Sequence, residues 1–255
     1  MNMLVLLKQT LDTEEKIVIE QGQIKDEGLN FIINPYDEYA VEEAIKLKEE
    51  FGGEVTVITV GPSRAESALR TALAMGADKG ILVHDETLFG DEYTLSKVLS
   101  AVVKDRAFDI ILTGNMSVDN GAGQVGIRLA EELGISPLSS ITQMTIEGEK
   151  ATVVRDVEGD AEVIETSLPL LITAQQGLNE PRYPSLPGIM KAKKKPIERV
   201  CVADLGISSA NVQAKSMIVD QYLPKEKNAG RVLSGNLADQ AKQLVQLLHQ
   251  EAKVI

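Results

Sequence analysis

The chain has 255 residues, 44% hydrophobic but only 4% aromatic, and a formal net charge of −12. That length and composition support a full core of aliphatic side chains, organised as one large domain with an appendage. The charge argues against nucleic acid or an anionic membrane as the main partner. No apolar run approaches the roughly 20 residues of a membrane span, and Met3 to Leu7 is too short for a signal-peptide core, so neither membrane insertion nor export is expected. The lone Cys201 excludes an intramolecular disulfide, has no second Cys or His at metal-ligand spacing, and is expected to be a small buried or interfacial residue.

Met3 to Lys8 is a short apolar run of the kind a buried parallel strand produces. Lys16 to Glu20 alternates before a turn at Gln21-Gly22-Gln23, which predicts a small hairpin. A helix follows from Glu38 to Glu50, with Ala40, Val41, Ala44 and Ile45 on one face and a stop at Gly52-Gly53. Val55 to Val60 reads as a strand. Ser63 can cap the next helix, in which Ala65, Ala68, Leu69, Ala72 and Leu73 recur at helical spacing up to Gly76. Gly80 to His84 is strand, Thr94 to Arg106 helix with Leu95, Val98, Leu99 and Val102 inward, and Phe108 to Thr113 strand. This alternation predicts a parallel sheet with right-handed crossovers and a helical layer on each face.

After a helix from Gln124 to Leu133 the character changes. Ile141 to Ile146, Ala151 to Asp156, Glu162 to Glu165 and Pro169 to Thr173 are β runs without intervening helix, expected to form a meander that extends or flanks the sheet. From Ala203 the pattern is weak until a helix, Leu237 to Glu251, with Asn236 as its cap and Ala241, Leu244, Val245 and Leu248 on one stripe. Such a stretch before an amphipathic helix fits an arm reaching for another surface, or a helix packing back on its own sheet. The organisation expected is a core over residues 1–177, a distinct segment over 178–202 and an arm over 203–255.

The distinct segment is Leu178 to Ile197, LNEPRYPSLPGIMKAKKKPI. Prolines 181, 184 and 187 make Glu180 to Pro187 a stiff, extended loop. Leu186 has no amphipathic period to carry it inward, and Lys191, Lys193, Lys194 and Lys195 follow on a short basic helix. The segment suits an interface in which the leucine supplies contact energy and the lysines steer an acidic partner, or a loop that packs on its own domain beside a solvated helix face.

In an open α/β sheet, ligands bind beyond the carboxyl ends of the strands where strand order reverses. Leu6 to Lys8, Asn34 to Asp37, Val60 to Pro62 and the loop Gly114 to Gly126 converge there. GNMSVDNGAGQVG places Gly121, Gly123 and Gly126 between a strand and a helix, which suits either an anion cradle at a helix N-terminus or merely a tight turn. It lacks the endings of a P-loop and the spacing of a dinucleotide fingerprint. No triad, HExxH or CxxC pattern occurs, neither His84 nor His249 is expected to catalyse, and the pairs Glu42-Glu43 and Glu131-Glu132 read as solvent faces of helices.

NPYDEYAVEEAI, LRTALAMGAD, VRDVEGDAEVIETSLPLLIT and the proline segment together resemble the electron transfer flavoprotein β subunit, over most of the chain. The resemblance implies a three-layer, parallel-sheet nucleotide-binding α/β fold of the adenine nucleotide α-hydrolase type, with a β-meander extension and a C-terminal arm that embraces an α subunit. It implies an AMP bound in this chain and an FAD held mainly by the α subunit, a second FAD in place of AMP marking the bifurcating type. The continuity of the RDVEGD and proline-loop motifs favours AMP. Carried onto matching positions, Asn34, Pro35, Tyr36 and Asp37 line the adenine and ribose side, Leu6 and Val60 give backbone contacts, and Asp119, Asn120, Gly121, Ala122, Gly123, Gln124, Val125 and Gly126 wrap the phosphate. Asn120-Gly121-Ala122-Gly123 departs from the polar residues of other members, which leaves the backbone rather than side chains to hold the phosphate there. Asp12 and Thr13 fall where the family approaches the flavin, with no specific role for Thr13. Leu186 is implied to insert into partner dehydrogenases, with Pro187, Ile189, Met190, Lys191 and Lys194 around it. The implied donors are acyl-CoA and related flavin dehydrogenases, the acceptor a quinone oxidoreductase, and the setting the cytoplasm of a bacterium. A stand-alone ATP-binding regulator of the universal-stress type is the alternative of another class.

Overall fold

The computed structural model describes residues 1–84, 90–225 and 229–255. Its strands are β1 (Asn2–Leu6), β2 (Gln9–Leu11), β3 (Ile19–Glu20), β4 (Gln23–Ile24), β5 (Phe31–Ile33), β6 (Glu54–Val60), β7 (Lys79–Val83), β8 (Ile110–Gly114), β9 (Ser136–Glu147), β10 (Lys150–Val157), β11 (Asp160–Ser167), β12 (Leu170–Ala174) and β13 (Ile197–Val200). Its α-helices are α1 (Pro35–Phe51), α2 (Glu66–Met75), α3 (Glu92–Val103), α4 (Val125–Leu133), α5 (Leu186–Ala192) and α6 (Leu237–Leu247). One unit comprises residues 1–18 and 24–219; the other comprises 19–23 and 220–255.

The first unit is built on a sheet of order β11-β10-β9-β12-β8-β1-β6-β7-β13. Strands β12, β8, β1, β6, β7 and β13 run parallel. Their apolar side chains alternate between two cores. Met3, Val5, Val57, Leu82, Ile110 and Leu112 pack with α1 and α2, whereas Leu4, Leu6, Ile58, Ile81 and Ile111 pack with Val98, Leu99 and Val102 of α3 and Leu129 of α4. A strand's period of two and helices on both faces therefore give the expected three layers.

Some boundaries differ from expectation. Helix α1 starts at Pro35 because a proline suits the first helical position, where its missing N–H costs nothing. Ser63 opens a 3-10 turn and its hydroxyl meets His84 Nε2 at 3.3 Å rather than capping α2. β12 ends the meander by returning to the sheet as a buried parallel strand between β9 and β8. β13, unmarked in the sequence, adds an edge strand beside β7.

Glu42 and Glu43, expected on a solvent face, are only 4% exposed. The proline loop lies over them: Arg182 is paired with Glu42 at 2.9 Å, and Asn179 Nδ2 donates to Glu43 at 2.9 Å. Glu131 and Glu132 are exposed as expected. Cys201 is exposed on this chain rather than buried.

In the second unit, Asn236 caps α6 by accepting from the Asp239 N–H at 3.0 Å. The helix buries none of its residues, so Leu237, Leu244 and Val245 stay exposed.

Candidate functional site

Chain order reverses about β1: the chain moves from β1 to β6 and β7 on one side, then crosses to β8 on the other. A crevice at that point is forced, because the loops leaving β1 and β8 diverge to opposite faces. The crevice is held by two side chains at the start of α1. Asp37 accepts the Lys8 N–H at 2.6 Å and the Gly114 N–H at 2.9 Å, stapling the ends of β1 and β8 together. Asn34, 1% exposed, donates to Met116 O at 2.8 Å and accepts from the Val118 N–H at 3.0 Å, fixing the loop after β8. Burial pushes the Asp37 carboxyl up to about 7, against the downward pull of the Lys8 amide, Asn34 and the Gly114 amide. Only glycine fits at 114, since a Cβ there would lie 2.3 Å from Asp37 Oδ1 and 2.7 Å from Tyr36 Cβ.

The resulting cleft has an apolar wall from Leu6, Ile58, Val60, Leu95 and Leu99. Its far end is the N-terminus of α4, which has no side-chain cap. Gly121 and Gly123, at φ +66° and +62°, turn the loop into the first helical turn, where Gln124, Val125 and Gly126 line the cleft. An apolar wall, a few fixed polar groups and an uncapped helix N-terminus suit a heterocycle carrying an anion.

Of the expected nucleotide residues, Leu6, Asn34, Asp37, Val60, Asn120, Ala122, Gly123, Gln124, Val125 and Gly126 line this cleft. Pro35, Tyr36, Asp119 and Gly121 do not. Tyr36 borders a polar depression with Arg155, Asp156 and Asp160, and Asp119 borders a cavity beyond Lys8. The side chains of Asn34 and Asp37 are engaged with backbone, so they shape the cleft more than they reach into it. Sequence reasoning missed Glu92, and it placed Leu95 and Leu99 inward without showing that they meet the cleft. It also left Lys8 without a role, although a cation at the carboxyl end of a buried strand was a usable signal. Lys8 Nζ is paired with Asp119 at 2.7 Å.

The other expected site lies on the proline segment. Leu186 is 80% exposed, but as the first residue of α5, with Ser185 capping the helix by accepting the Gly188 N–H at 3.1 Å. Pro187, Ile189, Met190, Lys191 and Lys194 are also exposed, and Tyr183 beside them is 95% exposed. Lys195 departs from the expected basic cluster. It turns inward and donates to Leu73 O and Ala77 O at the end of α2, and burial lowers its pKa.

Among the described residues, no group of three His, Cys, Asp or Glu could hold a metal, and no helix is long and apolar enough to cross a membrane. The family model described as "Electron transfer flavoprotein domain" matches residues 21–205. The electron transfer flavoprotein subunit beta of Bacillus subtilis is 56% identical over the whole of both chains. The chain belongs to the electron transfer flavoprotein subunit beta family. Subunits of the same name from Syntrophomonas wolfei and Mus musculus are 46% and 35% identical, covering 90% and 89% of this chain, and 88% and 90% of their own lengths, respectively. Membership places the chain in electron transport as part of a flavoprotein.

Proposed function

We propose that this chain is the β subunit of a heterodimeric electron transfer flavoprotein that holds a structural AMP in the cleft between β1, β8 and α4. Its FAD sits mainly on the α subunit. The observation that carries the reading is the uncapped N-terminus of α4 at the end of an apolar-walled cleft, which suits one phosphate joined to one base. Backbone N–H groups of residues 123–126 hold the phosphate, Leu6, Val60 and Leu95 exclude water from the base, and Asn34 and Asp37 keep the cleft open. FAD supplies the redox chemistry, while this chain supplies placement and docking. Leu186, Ile189 and Met190 form the anchor for acyl-CoA and other flavin dehydrogenases, Lys191 and Lys194 steer them, and a quinone oxidoreductase takes the electrons onward. Exposed Leu237, Leu244 and Val245 on α6 suit an arm laid on the α subunit. The setting is the cytoplasm.

The test is to co-purify the chain with its α partner, release the nucleotides by denaturation and count them. One FAD with one AMP per heterodimer is expected. Two FAD would move the chain to the bifurcating type, and ATP on the isolated chain without flavin would overturn the reading. Leu186→Ala should slow electron transfer from dehydrogenases while nucleotide content is unchanged; an unaltered rate would sink the anchor assignment.

A further inference from the structure

Helix α3 begins at a carboxylate that serves two segments far apart in the chain. Asp91 Oδ1 accepts the Thr94 N–H at 3.1 Å and so caps the helix, while Oδ2 accepts the N–H groups of Lys215 and Ser216, each at 2.8 Å, and the Ser216 hydroxyl at 3.0 Å. The neighbours of Lys215 are laid on the same helix. Val212 is buried in the core that includes Val98, Leu99 and Val102 of α3, and its carbonyl accepts from Thr94 Oγ1 at 2.7 Å. The Tyr93 hydroxyl donates to Asn211 O at 3.4 Å, and Lys215 Nζ lies 4.9 Å from the centre of the Tyr93 ring. Against the upward push of desolvation, the amides of Thr94, Lys215 and Ser216 and the Ser216 hydroxyl hold the Asp91 carboxyl below the ordinary carboxylate range.

Past this anchor the chain changes character. Residues 213–225 form no helix or strand, and Met217, Ile218 and Val219 stand 83%, 77% and 86% exposed in a row. The run carries no charge between Lys215 and Asp220. Contiguous apolar side chains in water mark a surface that another molecule covers.

We propose that Asp91 is a positioning residue for subunit association: it fixes where the chain leaves the core, so that Met217, Ile218 and Val219 are held out as an apolar contact for the α subunit. The inference rests on the heterodimer reading above and adds the residue that aims the arm. The α subunit is the occupant because the same arm leads on to α6, whose Leu237, Leu244 and Val245 are also exposed. An arm whose root is already fixed loses less freedom on docking than one that swings from Val212. The anchor is therefore expected to act through the lifetime of the complex.

The test separates the anchor from the helix cap. In Asp91→Asn an oxygen remains for the Thr94 amide, since Asn caps helices as well as Asp does, but an NH2 group faces the Lys215 and Ser216 amides. Ser216→Pro removes the other side of the contact, both the N–H and the hydroxyl, without touching α3. Dissociation of each heterodimer would be followed by exchange of a fluorescently labelled α subunit with excess unlabelled heterodimer. Both variants are expected to dissociate faster by about tenfold, the scale of one or two lost charge-assisted hydrogen bonds. Ile218→Asp, which spoils the contact and leaves the anchor, should also dissociate faster. Its combination with Asp91→Asn should fall short of the product of the two effects, because the anchor acts through the run. Wild-type rates in both Asp91→Asn and Ser216→Pro sink the proposal while leaving the heterodimer intact, as does a double variant whose effects multiply. A homodimer that Ile218→Asp dissociates, with α exchange unchanged, would give the run to a second copy and overturn the assignment. Failure of wild type to form a heterodimer overturns the subunit reading and the proposal with it.

Discussion

Arg182 of the proline loop grips Glu42 of α1, with Nε 2.9 Å from one carboxylate oxygen and Nη2 2.9 Å from the other. The same guanidinium reaches Glu49 at 2.6 Å. Glu42 is 4% exposed, so the loop that presents Leu186 is tied to the core through a buried charge.

Arg182→Ala would strip Glu42 of its charge partner and leave it the backbone N–H of residue 182; with Arg182 36% exposed, the cost falls short of a fully buried pair's, at about 1–3 kcal/mol. The double variant Glu42→Gln with Arg182→Ala should recover part of that loss, because the stranded charge is gone. Denaturant unfolding of the four proteins in the cycle would check it. Additive effects would mean the pair is not coupled.

Arg70 and Lys195 cap each other's helices. Arg70 on α2 donates to Ala192 O and Lys195 O, each at 2.8 Å, at the end of α5, and Lys195 after α5 donates to Leu73 O at 3.0 Å at the end of α2. Lys195→Met should therefore destabilise the fold by about 1–3 kcal/mol, the cost of leaving those carbonyls unpaired. Lys194→Met, on an exposed lysine one residue earlier, should stay within about 0.5 kcal/mol of wild type. Equal effects in thermal melts would argue against the capping role.

Gly114→Ala would drive a methyl into Asp37 and the backbone of Tyr36, the nearest atom being 2.3 Å away. The strand ends would have to part, at about 1–3 kcal/mol or more. Nucleotide retention should fall with stability, and a variant that kept both would show that the Asp37 staple does not govern the cleft.

Asp37 gives a pH dependence of definite sign. Its carboxyl titrates near 7 in the folded chain and at about 3.9 unfolded. Between those values the native state holds a proton the unfolded chain has lost, so stability falls as pH rises from about 4 to 7 and is level above. Asp37→Asn does not titrate. The unfolding free energy of wild type minus that of the variant should decline across the window, and a difference that rises with pH would reverse the assignment.

Much of the architecture was legible in the one-dimensional pattern. The apolar run Met3 to Lys8, the helical spacing of Ala68, Leu69, Ala72 and Leu73, and the glycine loop after β8 each state a local preference that burial then reinforces. The convergence of Asn34 to Asp37 with residues 114–126 followed from the rule that parallel sheets open where strand order reverses. β13 was not legible, because IERV has an edge strand's half-exposed pattern and only its pairing with β7 makes it a strand.

The amino-acid order by itself determined which segments are strand, helix and rigid loop, and, through its motifs, the family. Only the tertiary structure decided where the charges go. A glutamate at position 42 reads as a surface residue until Arg182, 140 positions later, arrives to neutralise it. Lys195 reads as part of a basic cluster until the end of α2 offers it carbonyls. Lys8 and Asp119 have no sequence relation at all, and become a pair because β1 and β8 lie side by side. Hydrophobic periodicity is a local property of the chain, whereas the energy of a charge depends on what surrounds it in three dimensions.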